Sequence, residues 1–95
     1  MFVSKTSVKK FELGQVLITP GAKESLDYND VAKALWRHRS GDFGDVCVED
    51  WALNEEAVEC GDRILSAYID RNGKKFWIIT EWDRSATTIL LPDEY

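Results

Sequence analysis

The fold of this chain is decided by residues 63–92, which read RILSAYIDRNGKKFWIITEWDRSATTILLP. Apolar, β-branched and aromatic side chains dominate three short runs of this stretch, a pattern typical of β-strands. The runs are residues 63–70, 75–82 and 86–91. Asn72-Gly73 separates the first two runs and is the dipeptide most typical of a two-residue type I′ hairpin turn. Asp83-Arg84-Ser85 separates the last two, so the stretch predicts a three-stranded antiparallel meander.

A two-residue loop at Asn72-Gly73 sets which side chains share a face of this sheet, because side chains alternate along a strand. The more continuously apolar face, which we assign to the core, carries Leu65, Ala67, Ile69, Phe76, Ile78, Thr80, Trp82, Thr87, Ile89 and Leu91. The mixed face carries Ile64, Ser66, Tyr68, Trp77, Ile79, Glu81, Thr88 and Leu90. A shift of one residue in the pairing would exchange the two assignments.

The residues before the meander divide into an arm and the start of the domain. Residues 1–10 contain three lysines and no acid, and we interpret them as a flexible basic arm that precedes a single domain, residues 11–95. Residues 16–19 are an apolar, β-branched run that predicts a fourth strand. Pro20 ends this strand, because proline cannot donate to a strand ladder.

Three helices are predicted between this strand and the meander. A short one begins at Thr19-Pro20, where Thr19 can cap the helix and Pro20 suits its first position. The second begins at Asn29-Asp30, and the third runs from Glu49-Asp50 to a C-terminal glycine, Gly61. Because strands and helices are segregated along the chain, the predicted class is α+β, an antiparallel sheet with two to three helices packed on one face.

Apolar spacing predicts which helix residues reach the sheet. In the second helix Val31, Leu35 and Trp36 fall on one face. In the third helix the apolar stripe includes Trp51. We therefore expect both tryptophans to be buried against the sheet.

The net charge of −5 is concentrated in one segment. Residues 42–62 contain no base, and their acids are Asp42, Asp45, Glu49, Asp50, Glu55, Glu56, Glu59 and Asp62. Such a surface favours a basic protein partner and disfavours direct nucleic-acid binding, for which no comparable basic patch exists. We assign partner binding to Glu55, Glu56, Glu59 and Asp62. A solvated helix face is the alternative interpretation.

The mixed sheet face is a second candidate contact surface. In the predicted register Tyr68 and Trp77 are neighbours across the hairpin, and both are large enough to anchor a protein contact. We assign both residues to partner binding, including the formation of a homodimer.

The sequence contains no signature of catalysis or metal binding. His38, the single histidine, lies between Arg37 and Arg39 at a predicted helix end, which indicates a solvated residue, with a catalytic base as the alternative. One histidine and no closely spaced cysteine pair predict no metal site, and no cofactor is expected. No apolar run approaches the ~20 residues of a membrane span, so we expect a cytoplasmic protein that does not engage membranes.

Five stretches of this chain form a distinctive set when they are taken together. They are ITPGA at 18–22, RHRSGDFGD at 37–45, ED with Asn54 at 49–54, RILSAY at 63–68 and WIITEWDRSATTILLPDEY at 77–95. Together they resemble a family of small uncharacterised bacterial proteins associated with plasmids and integrated mobile elements. The resemblance covers residues 16–95 and implies an accessory or binding protein of a mobile element, without an activity. Phe43 and Trp82 depart from its pattern, which has Trp and Ala there.

A second resemblance concerns the C-terminal sheet. Asp62-Arg63-Ile64-Leu65, a following strand, Asp83 and Thr87-Thr88 are similar to the sheet of barnase-type ribonucleases. The resemblance implies an alternative function, a small ribonuclease-like toxin or a degenerate relative. Its catalytic residues would be Glu81, Arg63 and Arg84, although Arg84 stands where such an enzyme needs a histidine.

Overall fold

The computed structural model describes residues 8–95, which form an α+β fold with one four-stranded sheet. The strands are β1 (Gln15–Ile18), β2 (Ile64–Ile69), β3 (Lys75–Thr80) and β4 (Ala86–Leu90). The helices are α1 (Pro20–Ser25), α2 (Tyr28–Arg39) and α3 (Val48–Cys60), and a 3₁₀ turn, Pro92–Glu94, follows β4. The first seven residues of the predicted basic arm lie outside the described range. The Lys10 N–H donates to the Arg39 carbonyl at 2.8 Å, which ties residue 10 to the end of α2.

The sheet has the strand order β1-β4-β3-β2. The predicted antiparallel meander of β2, β3 and β4 is confirmed, whereas the expectation of a purely antiparallel sheet is wrong, because β1 pairs with β4 in parallel. The cause is the connection through α1, α2 and α3. This helical crossover returns the chain to the end of the sheet at which β1 began, so β2 starts in the direction of β1.

The loop between β2 and β3 differs from the predicted two-residue turn. No non-glycine residue of this loop has a positive φ, and Gly73 alone is left-handed, at φ 80°. The Gly73 N–H donates to the Asp70 carbonyl at 2.9 Å, which closes a β-turn over Arg71 and Asn72 before the glycine bulge. The carboxylate of Asp70 accepts the N–H groups of Asn72 and Lys74, both at 2.9 Å, and so holds the longer loop in shape.

This loop shifts the register by one residue and exchanges the two faces of β2. Phe76 pairs with Tyr68 instead of Ile69. The face under the helices carries Ile64, Ser66, Tyr68, Phe76, Ile78, Thr80, Thr87 and Ile89. The outer face carries Leu65, Ala67, Ile69, Trp77, Ile79, Thr88 and Leu90. The predicted core assignment is therefore confirmed for β3 and β4 and wrong for β2. It is also wrong for Trp82, which lies beyond the end of β3 and is 65% exposed.

The core consists of two groups of buried side chains. The larger joins α1 and α2 to the sheet through Ala22, Leu26, Val31, Ala34, Tyr68, Phe76, Ile78, Ile89 and Leu91. The smaller joins α3 to β2 through Phe11, Phe43, Ala57 and Ile64, with Trp51 half-buried beside it. Burial of Trp36 was wrongly predicted. Its side chain is 46% exposed and lies under the Arg39 guanidinium, because α2 instead turns Val31, Ala34 and His38 inward.

Local capping fixes the helix ends close to their predicted positions. The Thr19 hydroxyl accepts the Ala22 N–H at the start of α1, and Pro20 is its first residue. Helix α2 begins at Tyr28, one residue before the predicted start at Asn29, because Asp27 caps the helix by accepting the Asp30 N–H at 3.2 Å. Gly61, at φ 78°, ends α3 in the left-handed conformation that glycine favours.

The outer edge of β2 is covered by other parts of the chain. Ala67 donates to the Phe43 carbonyl at 3.1 Å and accepts the Asp45 N–H at 2.7 Å, which makes a short parallel bridge at Gly44. The side-chain amide of Asn54 exchanges two hydrogen bonds with the backbone of Leu65. The outward main-chain groups of Leu65 and Ala67 on this edge strand are thus satisfied from within the molecule.

Candidate functional site

The side chains that could carry function lie on α3, which is held against β2 by its buried face. Asn54 and Ala57 are the buried residues of this helix, one fixed to the Leu65 backbone and the other packed in the smaller core group. This anchoring directs the opposite side of the helix toward solvent. The exposed acids there and in the flanking loops, which we call the acidic surface, are Asp45, Glu49, Asp50, Glu55, Glu56, Glu59 and Asp62.

The acidic surface forms no ion pair with any described residue. Residues 8–95 contain five ion pairs, and none of them involves a member of the acidic surface. By contrast, Arg37 binds the Asp42 carboxylate through two hydrogen bonds, of 2.8 and 3.2 Å, and so lowers its pKa. One acid of the predicted acidic segment is therefore compensated, by a base from α2 that the sequence pattern did not connect with it.

A shallow recess of about 440 Å³ lies beside the acidic surface. It is lined by Lys10, Gly41, Phe43, Glu55, Glu56, Val58 and Glu59. Three carboxylates and an ammonium group share this recess with the edge of the Phe43 and Val58 side chains. The structure therefore brings together three of the four predicted partner-binding acids of α3, and places Asp62 just beyond the helix end.

The two predicted aromatic contact residues are separated. Tyr68 lies in the core, where its hydroxyl donates to the Asp42 carbonyl at 2.6 Å and burial raises its pKa above the ordinary value. Trp77 is on the outer face, with its ring packed against Tyr95 at 5.7 Å between centroids. The predicted neighbourhood of Tyr68 and Trp77 depended on the incorrect register. Ile79 and Leu90, which were expected to extend this contact face, are both buried.

The three residues of the ribonuclease resemblance do not converge on one site. Arg63 lies 3.8 Å from the Glu81 carboxylate on the outer face and donates to the Tyr95 hydroxyl at 2.7 Å. Arg84 instead directs its guanidinium at the carbonyl oxygens of Ala57, Asp62 and Glu81. Its positive charge is thereby used to close the end of α3 and the loop after β3.

His38 is fully buried, so the expectation of a solvated histidine is wrong. It belongs to a buried hydrogen-bonded network, whose four side chains, His38, Ser66, Thr80 and Thr87, are all 0% exposed. The ring of Phe11 packs edge-on against the imidazole, with ring centroids 5.1 Å apart. Burial, and secondarily the positive charge of Arg84, lowers the pKa of His38 to about 3. The imidazole is therefore neutral at pH 7.

The direction of each hydrogen bond in this network follows from one carbonyl group. Thr87 donates its only proton to the Leu13 carbonyl at 2.7 Å, so it must accept from Thr80, 2.8 Å away. Thr80 then accepts from Nε2 of His38 at 2.8 Å, and Nδ1 accepts from the Ser66 hydroxyl at 2.5 Å. His38 is thus the Nε2–H tautomer. The network has no exposed atom for a substrate to reach, and it links α2, β2, β3 and β4 as a structural element.

Metal ligands, cysteines and apolar helices are the remaining features that could carry a function. Within residues 8–95, no group of three or more His, Cys, Asp or Glu side chains is arranged to hold a metal ion. Cys47 and Cys60 are both free and exposed. No helix in this range is both long enough and apolar enough to cross a membrane.

Comparison with known proteins assigns no function to this chain, so a functional proposal must be argued from its residues. No protein-family model, curated protein or solved structure matches the chain. The structure itself defines the class as α+β, with a mixed four-stranded sheet, three helices and an unpaired acidic surface on the last of them.

Proposed function

We propose that this domain is a non-enzymatic binding protein that docks a basic protein partner on the acidic surface of α3. The observation that supports the proposal is the contrast in charge pairing. Five of the ten carboxylates elsewhere in residues 8–95 form ion pairs with Arg or Lys, whereas none of the seven carboxylates of the acidic surface does.

Stability does not account for this arrangement. Glu55 and Glu59 are one helical turn apart, a spacing at which like charges cost about 0.2–0.5 kcal/mol per pair. The last turn of α3 contains no basic residue, although a cation there would interact favourably with the helix dipole. A sequence that served folding alone would place lysine or arginine at one of these positions.

An unpaired negative surface instead serves association. Clustered charge of one sign raises the rate of encounter with an oppositely charged partner by about 10- to 1,000-fold at low ionic strength. A basic protein supplies the complementary surface, whereas the phosphates of a nucleic acid would be repelled. The resemblance to mobile-element proteins is consistent with such an accessory role and stays part of the proposal.

The ribonuclease alternative is less well supported. A ribonuclease of the kind implied needs a general acid and a general base that face one substrate. Arg63 and Glu81 are adjacent, but the only histidine is buried and Arg84 is bound to backbone carbonyls. An RNA-cleavage assay tests this alternative directly. Cleavage by the wild type that is lost in Glu81→Gln would replace the binding proposal.

The binding proposal is tested with two variants of equal charge change. Glu55→Lys/Glu59→Lys reverses two charges on the acidic surface, and Glu24→Lys/Asp93→Lys reverses two exposed acids elsewhere. Immobilised wild type and both variants are used to capture basic proteins from bacterial lysate, at ~0.1 M and ~1 M salt, where the Debye length falls from about 10 to 3 Å. We expect capture by the wild type and the control at low salt only, and none by the α3 variant.

The design separates loss of binding from loss of fold. Lysine at position 59 lies in the last turn of α3, where it should stabilise the helix slightly, so the α3 variant should melt no lower than the wild type. Equal capture by all three proteins at both salt concentrations would exclude the acidic surface as the docking site.

A further inference from the structure

β1 is the open edge of the sheet. The other edge strand, β2, is covered by residues 43–45 and by Asn54, whereas no strand of the described chain pairs with the outer side of β1. Natural edge strands are usually blunted by charged side chains, proline or bulges. β1 reads Gln15-Val16-Leu17-Ile18 and has none of these, and its pairing with β4 is regular.

The unused main-chain groups of β1 can be identified from its pairing with β4. The N–H groups of Gln15 and Thr19 both donate to the β4 side, each at 3.0 Å. Because backbone groups alternate in direction along a strand, the N–H and C=O groups of Val16 and Ile18 point away from β4. This edge therefore presents two donors and two acceptors to solvent.

An apolar groove of about 350 Å³ runs along the helix side of the same edge. Val16 and Ile18 form one wall, because they share a face with Thr87 and Ile89. The facing wall comes from α1 and α2 and includes Ala22, Leu26, Tyr28, Val31, Ala32 and Leu35. The β1 side chains Val16, Leu17 and Ile18 are 41–45% exposed, and Tyr28 is 82% exposed. Exposed apolar area of this kind marks an interaction surface.

We propose that β1 pairs antiparallel with β1 of a second copy of this chain, which joins the two sheets into one of eight strands. A twofold axis at Leu17 places Val16 of each copy opposite Ile18 of the other. These are the residues with outward N–H and C=O groups, so each pair exchanges two hydrogen bonds, and four form in total. Leu17 faces its own counterpart in the intervening non-hydrogen-bonded position.

The strand is complementary to itself in side chains as well as in main chain. Residues opposite each other in an antiparallel pair point to the same face, so both helical layers lie on one side of the joined sheet. The exposed Tyr28 side chain of each copy then faces the partner's groove, beside the partly buried Leu35. Symmetric pairing of identical surfaces is the usual form of a homodimer.

Area and charge also fit a second copy. Exposed surface on the three β1 side chains and Tyr28 amounts to roughly 400 Å² per copy, about half the ~800 Å² per partner of a standard interface, before the groove floor is added. β1 carries no charge, and the acidic surface is next to β2, at the opposite edge of the sheet. Pairing through β1 therefore keeps the two acidic surfaces far apart, which limits repulsion between two chains of net charge −5.

Sedimentation equilibrium of the full chain over a concentration series tests the dimer. We expect the wild type to dimerise with rising concentration and Leu17→Lys to remain monomeric, because the twofold would bring two ammonium groups together. Ile69→Lys is the matched control, since Ile69 is an exposed β-strand side chain, 51% exposed, at the opposite edge. A wild type that is monomeric throughout, or dissociation by Ile69→Lys alone, overturns the proposal.

A crosslinking experiment tests the register without an added charge. In a background of Cys47→Ser/Cys60→Ser, Leu17→Cys would place two cysteines across the twofold, at a Cα separation of about 4.5 Å that suits a disulfide. We expect mild oxidation to convert this variant into a covalent dimer. The control Ile69→Cys should stay monomeric. Equal crosslinking of both variants, or of neither, would contradict pairing through β1.

Discussion

The buried neutral histidine makes a specific prediction about stability and pH. His38 has an ordinary pKa of 6.5, and burial together with the charge of Arg84 lowers it to about 3 in the folded chain. Between these two values the unfolded chain binds a proton that the folded chain excludes. Protonation then favours unfolding, so the contribution of His38 is fully present above pH 6.5 and is lost as the pH falls toward 3.

The magnitude follows from linkage. Well below pH 6.5 the free energy of unfolding should fall by about 1.4 kcal/mol per pH unit, and over the interval from pH 7 to pH 5 the loss is about 2 kcal/mol. His38 is the single histidine, and the carboxylates titrate mainly below this interval. The change between pH 7 and pH 5 can therefore be assigned to one side chain.

Urea unfolding followed by tryptophan fluorescence at pH 7, 6 and 5 measures this change. The variant His38→Gln should be less stable at pH 7 but should lose little further stability down to pH 5, because it lacks the titrating group. NMR of the wild-type imidazole gives a second readout, in which the Nε2–H tautomer should persist unchanged to pH 5. Constant wild-type stability from pH 7 to pH 5, or an imidazole that titrates near pH 6.5, would refute the reasoning.

Two further predictions concern the covered edge of β2. Asn54→Ala should lower the free energy of unfolding by about 2–4 kcal/mol, because it leaves the N–H and C=O of Leu65 without partners, whereas the neighbouring exposed change Glu55→Ala should alter it by less than about 0.5 kcal/mol. Gly44→Ala should cost more than ~2 kcal/mol, since φ is 72° and the added Cβ would collide with the Ala67 carbonyl oxygen. Gly61→Ala, at φ 78° with open space around it, should cost only about 1 kcal/mol. Chemical denaturation measures all four variants, and equal costs for the two glycines would show that the collision is relieved.

The elements of the fold could be predicted from sequence more reliably than their relation to one another. The strands of residues 63–92, the cap at Thr19-Pro20 and the C-terminal glycine of α3 are local features, and each was predicted near its observed position. The register of β2 was not, because Asn72-Gly73 favours two different loops. Both faces of the sheet are also largely apolar, because the outer face is partly covered as well: Tyr95 from the C-terminal turn packs on it. Side-chain alternation therefore could not select the correct loop.

Side chains that depend on tertiary contacts were the hardest to predict. His38 is flanked by two arginines, which favours an exposed position, yet Ser66 and Thr80 from separate strands satisfy both of its nitrogens inside the core. No local pattern in the sequence connects these three residues. The only sequence signals of the network were the hydroxyl side chains in the strands and the presence of a single histidine in the chain. Pairing of β1 with β4, 71 residues away along the chain, likewise has no local signature.

The cover over β2 also determines how far strand-by-strand association can proceed. Because β1 is the one open edge of the described sheet, two copies that pair through β1 leave no free sheet edge to which a third copy could add. Residues 43–45 and Asn54 thus prevent another copy from pairing with β2, and so oppose polymerisation. Loss of that cover would give each molecule two open edges. Growth would then no longer be limited to two copies, and the same contact that closes a pair could propagate a fibre.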